Sequence, residues 1–134
     1  KTVLSGVPSS LPSLVKAYRI QDKARAVGFD WEEAQEVWTK VQEEIQEVRQ
    51  ALETKEAEDI EAEFGDLLFA VVNAARLYGV NPDNALERTN RKFISRFGYI
   101  ESQAKAQGRD IKDLTLGEMD ALWEEAKHLK HSQI

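Results

Sequence analysis

Apolar residues recur along this chain every three to four positions, in five runs separated by short polar or glycine-bearing breaks. That spacing predicts helices over about 12–26, 31–53, 56–78, 82–107 and 116–130. The breaks carry helix punctuation. Asp30 with Glu33 and Thr115 with Glu118 have capping-box spacing, Asn81-Pro82 supplies an N-cap and a first-turn proline, and Gly28, Gly79 and Gly108 fall where helices would end. No stretch alternates with the period of a strand and no internal repeat is evident, so the pattern predicts an all-α bundle of about five helices. Residues 1–10, with Ser5, Gly6, Pro8, Ser9 and Ser10, read as a lead-in or linker, and the folded domain is expected over 11–134.

The break near Thr54 and Lys55 is so short that the second and third helices are expected to form an antiparallel hairpin. The second helix has an apolar stripe of Ala34, Val37, Trp38, Val41, Ile45, Val48 and Leu52, with Glu43, Glu44 and Glu47 grouped at its margin within an arc of roughly 100°. Taken alone, these glutamates suit a solvated face better than a site. The third helix changes that balance. Glu63 and Asp66 form an i, i+3 pair, and Asp66 directly precedes Leu67–Val72, which is apolar around its whole circumference and predicted to be buried on nearly every side. The flank that Asp66 shares with Ala70, Asn73 and Leu77 offers no lysine or arginine, and an ionised carboxylate removed from water without a partner costs several kcal/mol. A divalent cation would supply the missing charge. Two hairpin helices, each with an i, i+3 acidic pair, can offer four oxygen ligands, a donor set that favours magnesium or manganese over zinc or copper.

Composition narrows the field. With 42% apolar and 31% charged residues the chain suits a soluble domain rich in amphipathic helices. The absence of cysteine excludes disulfides, thiolate metal sites and a cysteine nucleophile. A net charge of −6 argues against duplex nucleic acid as partner, and no apolar run is long enough to span a membrane, so a cytoplasmic protein is expected. There is no glycine-rich phosphate loop and no Gly-x-Ser-x-Gly elbow, so phosphate handling must come from helix side chains and metal. The chain opens on Lys1-Thr2-Val3 and is expected to be a processed chain or a piece of a longer one.

The segments Glu43-Glu44-x-x-Glu47 and Glu63-x-x-Asp66 resemble the signature of the MazG and all-α nucleoside triphosphate pyrophosphatases. Gly28-Phe29-Asp30-Trp31, Phe64-Gly65-Asp66-Leu67-Leu68-Phe69 and Asn90-Arg91-Lys92-Phe93 with Arg96-Phe97 are similar to MazG sequence in the same order. The resemblance covers nearly the whole chain from Leu4 and is closest to the C-terminal, catalytic half of tandem-domain MazG proteins. It implies hydrolysis of a nucleoside triphosphate between the α and β phosphates, to a monophosphate and pyrophosphate, with Mg2+ (or Mn2+) held by Glu44, Glu47, Glu63 and Asp66. Glu43, beside the ligands, is the candidate to orient or deprotonate the attacking water, with a solvated surface glutamate as the equal alternative. Lys92 and Arg96, i, i+4 beside the apolar stripe of the fourth helix, fit a solvated face by spacing alone; the resemblance implies that they bind phosphate. Trp123, which shares a face with Leu116, Met119 and Ala126, has packing as its default role, whereas the resemblance implies that Trp123 and Lys127 lie against the nucleotide and that Trp31 contacts the base.

Two other readings compete. A carboxylate-bridged di-iron bundle needs Glu-x-x-His on two helices, and only Glu125-x-x-His128 fits. His128, Lys130 and His131 are more simply cations favoured at a helix C-terminus. A non-catalytic helical dimerisation module, a degenerate MazG half, would have lost carboxylates that this chain retains. On either reading a homodimer or dimer of dimers is expected, because an apolar third helix needs more cover than so small a chain supplies.

Overall fold

The computed structural model describes residues 1–129, which fall into two compact units divided between Ala85 and Leu86. Among the described residues the architecture is all-α: α1 (Ser13–Ala26), α2 (Val37–Thr54), α3 (Ala57–Leu77), α4 (Pro82–Ala106) and α5 (Leu116–Lys127), with 3-10 turns at Ala34–Glu36 and Ile111–Asp113. No helix among them is long and apolar enough to cross a membrane. Lys130 and His131, expected at the C-terminal end of the last helix, lie outside the described residues. That helix closes at Lys127, three residues short of expectation.

In the first unit α2 and α3 pack along one another and α1 lies on α3. The reversal between α2 and α3 is made at Lys55, whose φ of 60° and N–H donation to the Ala51 carbonyl at 3.2 Å close α2 with a left-handed cap. The α2–α3 seam is built of small side chains, Val37, Val41, Ala70 and Ala74, with Leu67 and Leu77 packed against them. Residues this small let two backbones approach closely, so side chains on the flanks of the seam are brought into reach of one another. The lead-in is ordered by turns, including Val7 N–H to the Leu4 carbonyl at 3.1 Å, and Lys16 of α1 holds the Ser9 carbonyl at 2.6 Å.

Three expectations are corrected. First, α2 begins at Val37 and not near residue 31. Asp30, expected to cap it, has its carboxylate taken by the Trp31 N–H at 2.9 Å and by Arg76 of α3 at 2.7 Å, and the box forms instead three residues later, where the Glu33 N–H donates to Glu36 at 2.9 Å. Second, the buried line of α2 is Val37, Val41, Glu44, Val48 and Ala51, a four-three spacing that carries Glu44 inward and turns Trp38, Ile45 and Leu52 to the surface. Third, Leu67–Val72 is not covered all round: Ala70 and Val72 are buried, while Leu68 is 63% exposed and Phe64 and Val71 also face out. Within the first unit α1 and α2 pack on α3 and leave these side chains exposed.

In the second unit the fourth helix turns at Gly108 (φ 69°) into the 3-10 turn and α5. Ile100, Ala104 and Leu114 form the core there, with Ile111, Met119, Leu122 and Trp123 around it. The Thr115–Glu118 box forms as expected, with Glu118 N–H to Thr115 Oγ1 at 3.1 Å and Thr115 N–H to Glu118 Oε1 at 2.9 Å.

Candidate active site

One consequence of the four-three register of α2 is an acidic group at a core position. Glu44 is 7% exposed, its Oε1 accepts from Lys40, one turn earlier, at 2.9 Å, and its Oε2 is buried without a hydrogen-bond partner. Across the seam α3 presents Glu63 and Asp66, and carboxylate oxygens of Glu44, Glu63 and Asp66 lie within 4.8 Å of one another. Glu47, the fourth expected ligand, stands outside that set yet close enough to act on Glu63. The Glu63 carboxyl is held above its ordinary range by partial desolvation and then by the charges of Asp66, Glu47 and Glu44. Like charges crowded in this way, one with an orphaned oxygen, are what a hard divalent cation offsets, so the donor set fits magnesium or manganese.

Lys40 was absent from the sequence reading, which found no cation beside Asp66. Its ammonium is held above the ordinary lysine range by the hydrogen bond to Glu44, with smaller contributions from the charges of Glu43 and Asp66. Lys40 comes from α2 and not from the flank of α3 that carries Asp66, and its i, i+4 relation to Glu44 was the available signal. Glu43 is exposed and, with Trp31, Glu36, Thr39 and Lys40, lines a shallow recess of about 230 Å³.

Glu44 and Asp66 of the acidic group line a cleft of about 700 Å³, whose walls also include Leu4, Gln21, Asp30, Trp31, Lys40, Phe69, Asn73 and Arg76. Beneath it Arg76, 9% exposed, bonds Asp30 at 2.7 Å and Asn73 Oδ1 at 2.7 and 3.1 Å. Arg76 holds the Asp30 carboxyl below its ordinary range, and the Trp31 N–H adds to this. The network ties the loop that carries Trp31 to α3. Asp30 has the spacing of a helix cap; the available signal for this network was an arginine three residues after an asparagine in the otherwise apolar run 67–77.

The remaining expected site residues belong to the second unit. Lys92 is exposed on α4. Arg96 sets its guanidinium 5.6 Å from the centre of the Trp123 ring, with Nε buried and unpartnered. The Phe93 ring lies 5.2 Å from Trp123, and Lys127 bonds Glu124 at 3.1 Å. Leu116, expected on the packed face with Trp123, is exposed because the helix begins there.

The family model for the MazG nucleotide pyrophosphohydrolase domain matches residues 31–99, which include all four expected ligands. The chain is 40% identical over 117 residues to a Thermotoga maritima protein named nucleoside triphosphate pyrophosphohydrolase/pyrophosphatase MazG, covering 87% of this chain and 45% of that protein. It is 40% identical over 130 residues to an Escherichia coli K12 nucleoside triphosphate pyrophosphohydrolase, covering 94% and 49% respectively. Over 69 residues it is 54% identical to the uncharacterized protein YabN of Bacillus subtilis. The chain thus spans about half the length of the first two relatives.

Proposed function

Because the chain belongs to the MazG nucleotide pyrophosphohydrolase domain family, we propose that it hydrolyses nucleoside triphosphates between the α and β phosphates, releasing a monophosphate and pyrophosphate. The observation that carries this reading is the buried Glu44, with one oxygen unpartnered, among Glu63 and Asp66 at a nucleotide-sized cleft. Glu44, Glu63 and Asp66, joined by Glu47, would hold Mg2+ or Mn2+. Bound there, the cation supplies neutralisation of phosphate charge and polarisation at the reacting phosphorus.

The chain's own groups do the rest. Glu43, exposed beside the ligands, takes the proton of the attacking water. Lys40, an ammonium paired with Glu44, offers its charge to a phosphate oxygen. Lys92 and Arg96 are assigned to phosphate, and Trp31, Trp123 and Lys127 to the base, on the family resemblance. A second copy of the chain is proposed to cover the bare apolar residues of the hairpin, Trp38, Ile45 and Leu52 on α2 and Phe64, Leu68 and Val71 on α3. The cytoplasm is the proposed location.

Incubation with each of the eight common ribo- and deoxyribonucleoside triphosphates plus magnesium, with products separated, tests the reading. Monophosphate and pyrophosphate are expected, abolished by chelator and restored by magnesium or manganese. Diphosphate with orthophosphate, or full activity in excess chelator, would overturn it.

A further inference from the structure

The cleft that Glu44 and Asp66 line also contains an amide whose orientation is fixed. Gln21 on α1 is 6% exposed, and its Nε2 donates to the Phe69 carbonyl of α3 at 2.9 Å. A carbonyl only accepts, so the nitrogen must face Phe69 and Oε1 is the atom left over. That Oε1 is buried and has no hydrogen-bond partner. Asn73 is fixed in the same way, because Arg76 donates twice to its Oδ1, and this leaves Nδ2 as the atom that Arg76 does not engage.

Both amides line the cleft together with the rings of Phe69 and Trp31. Asp66, Phe69 and Asn73 follow one another along a single stripe of α3, so Asn73 stands about 10 Å from Asp66 at the helical rise per residue, comparable with the length of a nucleoside monophosphate. A ligand part lying there, with phosphates at the carboxylates, is flat and apolar on its faces and polar at its edge. A buried acceptor without a donor is rare in folded proteins and is relieved when a ligand brings the N–H.

Resting on the pyrophosphohydrolase reading of the acidic group, we infer that this wall holds the nucleobase and that Gln21 Oε1 accepts an N–H from the base edge, which makes Gln21 a determinant of affinity for donor-bearing bases. The Phe69 carbonyl positions the amide, and Asn73 Nδ2 offers a donor to a ring nitrogen or carbonyl of the same base.

The test is calorimetric titration in magnesium with α,β-methylene analogues, which cannot be cleaved at the bond in question. Adenosine triphosphate analogue is compared with purine riboside triphosphate analogue, whose base has no N–H, and the cytidine analogue with that of pyrimidin-2-one riboside. Wild type is expected to bind the donor-free member of the tighter-binding pair roughly ten-fold more weakly. In Gln21→Met both members should bind equally, at the donor-free affinity. Equal affinities in wild type, no binding of either pair, or an undiminished preference in Gln21→Met would overturn the inference; if Gln21→Met melts early, the wild-type comparison decides alone. Pyrophosphate release from the natural triphosphates is measured alongside. Donor-dependent binding without that product would sink the hydrolytic reading and leave the base site standing, whereas product without discrimination would do the reverse.

Discussion

In the second unit Arg109 forms an ion pair with Glu118, whose other contacts close the start of α5, the core between α4 and α5 is apolar, and a buried donor, Arg96 Nε, is left without a partner. In the first unit the α2–α3 seam admits Glu44 at a position where the same periodicity elsewhere places valine, and the cleft beside it keeps Gln21 Oε1 and Glu44 Oε2 without partners. Both units are helices on small cores, so the difference is not one of fold. The groups left unmet in the first unit are acceptors, and they lie where a cation and a nucleotide would supply what is missing.

The sharpest way to break this comparison is Asp66→Asn. As a ligand in a crowded acidic set, Asp66 contributes repulsion to the metal-free protein, so the amide should leave the metal-free melting temperature unchanged or higher while activity falls by orders of magnitude. Magnesium-induced stabilisation should shrink in parallel. Thermal melts with and without magnesium, beside an activity assay, check this; a lower metal-free melting temperature with an undiminished magnesium shift would make Asp66 structural.

Arg76→Met probes the ordered polar network under the cleft. It strands Asp30 and Asn73, and because Arg76 is buried and Asp30 largely so, a loss of about 3 kcal/mol in urea-derived stability is expected. A loss below roughly 1 kcal/mol would show that the network is a solvated pair. Smaller again are Lys92→Ala and Arg96→Ala in the second unit, which should each weaken nucleotide binding about ten-fold with the fold kept. Unchanged kinetics in both variants would return them to ordinary roles, a solvated lysine and an arginine stacked on Trp123.

The smallest effect is at the satisfied cap. Arg109 and then the Thr115 N–H hold the Glu118 carboxyl down to about 2 from an ordinary 4.5. A lowered folded value means that its stabilisation is complete above about pH 4.5 and drains away as pH falls toward 2. Urea midpoints between pH 5 and pH 2 should therefore fall less in Glu118→Gln than in wild type; parallel curves would contradict the pairing.

Element type and order were legible in the sequence because each helix carries a 3.6-residue pattern and glycine or Asn-Pro punctuation, and the Thr115–Glu118 box was readable from spacing alone. The start of α2 was not. Asp30 has the spacing of a cap, and the tertiary approach of Arg76, 46 residues later, together with the Trp31 N–H, diverts its carboxylate. The acidic residues could be picked out by type and interval, yet which of them turns inward depended on the register of two helices against each other. The stripe drawn through Trp38, Ile45 and Leu52 put Glu44 at a margin, whereas close packing on Ala70 and Ala74 selects the Val37, Val41, Glu44, Val48 line. Gln21 was invisible for a similar reason: a lone glutamine on an amphipathic helix has no pattern until the Phe69 carbonyl is beside it.

Hydrolysis in 18O-labelled water tests the central claim most directly, since it reports which phosphorus is attacked. With magnesium and a nucleoside triphosphate, the label is expected in the monophosphate, with unlabelled pyrophosphate, and no label should be incorporated by Asp66→Asn over the same interval. Label in pyrophosphate or orthophosphate would place the attack elsewhere, and equal incorporation by Asp66→Asn would remove the acidic cluster from the chemistry.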